Sequence, residues 1–301
     1  MTDLNLIYAT LLALAYNITL NLSKGVQKWG IEGLSTETLK QWRQRPELKK
    51  KFYAWGIGSI GTIVAVVLQV VAQLFTDKSS YIAAFGGIGL MCLVIFSYYV
   101  LGESIKVPEK AGIIVVVVAT LVFGFTVEAP TATVAVDYVL LTWITVIPLD
   151  LLFLIGFASI KHNYKGHAVI WGSVAGFFSG LGIALSQTAV TSGGRDVVGT
   201  LLRPDLWIAL ATGQGAFWCT QYGFKHGHAS IVVTLYNTLA LVVPVVVDLV
   251  VLARVISVVS LAMLGCIGVG VVLLTAFREV ALPLPKEDKI EDGETSEVPV
   301  Q

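Results

Sequence analysis

Amides and acids recur in this chain inside stretches that are otherwise apolar, and their spacing is helical. Asn17 and Asn21 lie in "AYNITLNLSKGV" (15–26), and with Thr10 and Lys24 they stand three, four or seven residues apart, on one helix face. Ser59, Thr62, Gln69 and Gln73 form a second such stripe; Gln214, Trp218 and Gln221 form a third. Tyr236 and Asn237 stand eleven or twelve residues before Asp248, with Pro244 between, and Gln187 closes another apolar run. Asp150 sits in "WITVIPLDLLFLIG". In hydrocarbon such groups persist only beside one another or beside a wet cavity. Gathered around a cavity, amides, hydroxyls and aromatic rings would bind a small polar solute, and the two aspartates would carry a proton or a cation. Asn17-Ile-Thr and Asn21-Leu-Ser also match a glycosylation pattern. The apolar "LNLIYATLLALA" before them instead places both amides in a membrane helix.

The elements that must position these groups are legible in the composition. The chain has 301 residues, 55% hydrophobic and 13% charged, with a mean hydropathy of +0.80, against about 25% charge in a typical soluble domain. Apolar runs near the ~20 residues needed to cross a bilayer recur at 4–23, 52–76, 82–101, 109–127, 136–158, 167–188, 205–225, 229–252 and 255–277. The expected fold is therefore an all-α integral membrane protein of about nine transmembrane helices. Only "MTD" precedes the first run, too little positive charge for a secretion signal. Net charge is zero, which implies no attraction to nucleic acid. Cys92, Cys219 and Cys266 all fall within apolar runs and lack the spacing of a disulfide framework or a zinc site.

Lysine and arginine divide unevenly between the two sides of a nine-span chain, 16 against 4. Basic loops stay cytoplasmic, so the expected orientation, most simply in the cell membrane, has the N-terminus outside and the C-terminus inside. The four histidines, His162, His167, His226 and His228, then fall on the cytoplasmic face as solvated loop residues. Residues 281–301, charged and nearly free of large apolar side chains, are expected to form a disordered acidic tail.

Two internal echoes organise the spans. "LNLSKGV" (20–26) and "IALSQTAV" (183–190) end the first and sixth, while "YVLGESIK" (99–106) and "VVLARVIS" (250–257) end the third and eighth. Helices 1–4 thus recur as helices 6–9, and the unpaired fifth helix inverts the second copy. The expected units are 1–158 (first repeat plus helix 5), 159–280 (second, inverted repeat) and the tail. Inverted repeats are a hallmark of secondary transporters, whose halves rock about a central site. The "LGE" of Leu101, Gly102 and Glu103, with this layout, resembles the EamA-like drug/metabolite transporter (DMT) superfamily. The "SKG" closing the first helix and "EAP" (128–130) after the fourth resemble its NIPA branch. The resemblance implies a bundle around a solute cavity and, for that branch, magnesium transport.

The reading is a carrier of a small polar solute working by alternating access. It binds solute through Asn17, Asn21, Thr62, Gln69, Gln214, Trp218, Gln221, Tyr236 and Asn237 and couples through Asp150 or Asp248. A NIPA-like magnesium or divalent-cation transporter and a non-transporting scaffold or receptor stand as alternatives. Mg2+ or H+ would be cargo or coupling ion, with no resident cofactor. The helix carrying Asp150 has no repeat counterpart, which places that acid at the bundle edge or at a contact in a homodimer. Glu103, at the end of the third helix, opposes the helix dipole and is expected to anchor structure through Lys106 or a basic loop. Gly172, Gly176 and Gly180, four residues apart, make a smooth face for close helix packing. No HExxH, GxSxG or Walker loop occurs, which points away from an enzyme or an ATP-driven pump.

Overall fold

A computed structural model describes residues 3–31, 46–76, 82, 85–103, 106–126, 138–161, 166–225, 227–250 and 257–276. Among these the regular elements are all α-helices: α1 (Asp3–Ile31), α2 (Pro46–Phe75), α3 (Gly86–Tyr99), α4 (Val107–Thr126), α5 (Tyr138–Lys161), α6 (His167–Ser192), a short α7 (Val197–Leu201), α8 (Pro204–Lys225), α9 (Ala229–Val250) and α10 (Val258–Ala276). Five segments, in α1, α2, α5, α6 and α9, are long and apolar enough to cross a membrane. The chain thus has the composition and helix lengths of an integral membrane protein. Residues 281–301 and the "EAP" of 128–130 lie outside the described residues.

Many hydroxyls inside these helices satisfy themselves locally. Thr10, Ser59, Thr62, Thr120, Thr220 and Thr234 each donate to the carbonyl four residues back. That bond lets a hydroxyl reside in an apolar helix without a distant partner.

The first helix runs to Ile31, eight residues past the expected end at 23. Lys24, expected at the end of the first polar stripe, and Lys28, beyond the expected span, are 3% and 1% exposed within it. A buried stripe holds them in the helix because each has something to meet, described below. The loop between α6 and α8 turns on Gly194 and Arg195, both at positive φ. It contains α7, whose N-cap Asp196 accepts from the Gly199 amide at 2.9 Å.

The packing has a simple plan. Helix α1 lies along α2 and α3, α6 lies along α8 and α9, and α4 pairs with α10. Helix α5 docks on α6 through aromatic edges, Phe153 and Phe157 meeting Trp171 at 5.8 and 6.3 Å between ring centres. The α6–α9 seam is set by the three glycines. A Cβ on Gly176 would meet the Tyr236 carbonyl at 2.7 Å, and on Gly172 the Val232 carbonyl at 2.9 Å. On Gly180 it would meet the Val243 Cβ at 2.7 Å, so none of the three positions has room for a side chain.

Glu103 anchors the fold at the start of a distant helix. Gly102 takes φ +66, a left-handed turn suited to glycine, which swings Glu103 to the start of α9. Its carboxylate accepts from the Ala229 amide at 2.8 Å and from the Ser230 hydroxyl at 3.1 Å, with His228 Nδ1 3.8 Å away. The acid therefore complements the positive end of another helix's dipole, and the "LGE" stretch works as a long-range cap.

Candidate functional site

The aromatic and amide side chains between α1, α2, α6 and α8 leave a cavity of about 380 Å³, within the range that encloses small ligands. Helix α1 contributes Tyr16 and Lys24; α2 contributes Trp55, Thr62 and Gln69. Ser179 and Ser186 of α6, Gln214, Phe217 and Trp218 of α8, and Tyr236 of α9 add to the polar and aromatic part of the wall. Ile63 and Trp218 line the cavity yet are 61% and 62% exposed. The cavity therefore meets the outer surface between α2 and α8.

Two clasps cross it. At one end Trp55 Nε1 donates to Gln221 Oε1 at 3.0 Å, Gln221 Nε2 donates to Gln27, and Gln27 Nε2 donates to Thr62 Oγ1 at 2.6 Å and the Gly58 carbonyl at 2.9 Å. This relay joins α2, α8 and α1. At the other end Gln69 Nε2 reaches Ser186 Oγ at 3.4 Å, a long contact between α2 and α6. On the α9 side Ser179 Oγ donates to the Tyr236 hydroxyl at 2.7 Å, which fixes that ring as part of the wall.

Of the residues expected to bind solute, Thr62, Gln69, Gln214, Trp218 and Tyr236 stand on the cavity wall. The other four serve as fasteners behind it. Asn17 Nδ2 donates to the Ala13 and Ile82 carbonyls at 2.9 and 2.8 Å. Asn21 Nδ2 donates to the Asn17 carbonyl at 2.9 Å and its Oδ1 accepts from Asn237 Nδ2 at 2.7 Å, joining α1 to α9. Gln221 is spent in the relay. Asp150 is exposed on α5, away from the cavity lining; the side chain of Asp248 lies outside the described residues.

Sequence reasoning passed over Tyr16, Gln27, Trp55, Ser179 and Ser186, and took Lys24 for the end of a stripe. Their signal was present: Tyr16, Leu20, Lys24 and Gln27 recur at helical spacing beside the Asn17–Asn21 stripe, so α1 shows two adjacent polar faces that look like one. His167, expected in a solvated loop, is fully buried, with Nε2 3.2 Å from the Tyr222 carbonyl. His162 and His226 lie outside the described residues. The described residues contain no group of three or more His, Cys, Asp or Glu side chains able to hold a metal ion. The chain's sequence and fold were compared with known proteins, and no family model, curated protein or solved structure matches it.

Proposed function

We propose that the protein is a secondary carrier of the EamA-like, drug/metabolite-transporter kind, moving a small organic solute by alternating access across the cell membrane. The observation that carries this reading is the cavity itself, whose walls come from helices of both sequence halves: α1 and α2 from one, α6, α8 and α9 from the other. A sealed scaffold has no use for such a space, and its amides would all be paired across closed seams.

The packing plan supports an inverted repeat. Exchanging α1, α2, α3 and α4 for α6, α8, α9 and α10 turns the α1–α2 and α1–α3 contacts into α6–α8 and α6–α9, and returns α4–α10 to itself. Helix α5 has no counterpart in this exchange. The two clasps suit rocking, since each joins the halves at one end through hydrogen bonds that a small rotation exchanges for water. The proposed orientation keeps the N-terminus outside and the C-terminus inside, on the lysine and arginine bias. The NIPA-like magnesium reading is less favoured, because the cavity wall presents an ammonium and no carboxylate among the described residues.

Accessibility tests the proposal without knowledge of the substrate. In a background with Cys92, Cys219 and Cys266 replaced by Ala, Ser186→Cys is exposed to a membrane-impermeant maleimide in right-side-out and inside-out vesicles. Labelling from both sides is the expected result. Labelling from one side alone, or from neither, overturns alternating access through this cavity.

A further inference from the structure

Lys24 and Lys28 lie one turn apart on α1, are almost equally buried, and meet opposite circumstances. Lys28 Nζ donates to the Phe224 carbonyl at 2.7 Å, in the last turn of α8, where the helix dipole welcomes a cation. Lys24 is 3% exposed and lines the cavity, and its Nζ has no hydrogen-bond partner among the described residues. What it has is the Tyr236 ring, 2.7 Å from Nζ to the centroid. A ring face attracts an ammonium but offers no lone pair to its three N–H donors, and the Tyr236 hydroxyl is already engaged by Ser179. The described part of the cavity wall holds no Asp or Glu to supply the missing charge. An ammonium confined in low dielectric without an acceptor is left uncompensated, and a ligand bearing its own acceptor oxygens relieves that.

We infer that the cavity takes an organic anion, whose carboxylate or phosphate pairs with Lys24 Nζ while an apolar or aromatic body lies among Trp55, Phe217, Trp218 and Ile63. This rests on the carrier reading for the purpose of the cavity and sharpens it from a polar solute to an anionic amphiphile. The lining favours such a body, since those four side chains form the α2 and α8 walls and the opening between them. The anion is held by one buried cation, with the Gln214 amide, which also lines the cavity, offering further donors.

Binding, rather than flux, tests this. Purified protein in nanodiscs is titrated with radiolabelled 3-phenylpropionate and, as uncharged and cationic matches, 3-phenylpropanol and 3-phenylpropylamine. The wild-type chain is expected to bind the propionate at least about tenfold tighter than either match, as one charge-assisted hydrogen bond in a buried site implies. Lys24→Met should lose that preference while still binding the propanol, which shows that the cavity has folded; Lys24→Arg should keep it. Equal binding of propionate and propanol by the wild-type chain, no binding of propionate, or an unchanged preference in Lys24→Met overturns the inference. If propionate binds through Lys24 but Ser186→Cys labels from one side only, the anion site stands and the carrier reading falls.

Discussion

The two faces of α6 carry similar numbers of small and polar residues and do opposite things. Toward α9, Gly172, Gly176 and Gly180 let the two backbones touch. Toward α2 and α8, Ser179, Gly182 and Ser186 border about 380 Å³ of space. On the far side of the bundle, Gly86, Gly87, Thr120, Asn237 and Thr238 enclose only about 10 Å³. Polarity alone therefore does not make a pathway. What separates the regions is what stands opposite: glycine against the backbone of α9 closes one seam, whereas the large rings of Trp55, Phe217, Trp218 and Tyr16 line the other, open one.

Substitutions break this contrast in graded ways. The largest effect is expected from Gly176→Leu, which drives a side chain into the Tyr236 and Leu235 carbonyls. Overpacking of this kind costs about 3 kcal/mol, read as a shifted midpoint when the protein is unfolded in mixed micelles. Gly213→Leu is the control, since a Cβ there meets nothing within 4 Å on the cavity side. It should leave the midpoint near wild type. Glu103→Ala comes next: it leaves the Ala229 amide and the Ser230 hydroxyl without their acceptor. A loss of about 2 kcal/mol is expected in the same titration, with hydrogen exchange rising first at the start of α9. Asn237→Leu is smallest. It removes one bond to Asn21, and such interhelical bonds average about 0.6 kcal/mol. Anion binding should be unchanged, because that amide stands behind the wall.

The sequence disclosed the helices, the polar stripes and the glycine face, because each is a matter of spacing along one chain. It did not disclose which stripe meets space and which meets another helix, because that depends on partners more than a hundred residues away. Asn21 and Asn237 show the difficulty well. Both look like solute ligands until their amides are seen joined at 2.7 Å. Lys24 and Lys28 show its converse. Positive charge beyond an apolar run reads as the edge of a span, whereas the ring of Tyr236 and the carbonyl of Phe224 show what the two cations meet inside. The expected end of the first span was therefore placed too early. Glu103 was recognised as an anchor from its motif, but its true partner, a helix N-terminus in the other half, left no local mark.

That partner imposes an order on biosynthesis. The Glu103 carboxylate leaves the ribosome 126 residues ahead of the amide that receives it. Until α9 is made, the Ala229 amide and the Ser230 hydroxyl are not there to receive it. The Glu103 anchor thus forms only once most of the polypeptide has been made. A gene divided between α5 and α6 should yield a stable first fragment only when the second is produced beside it.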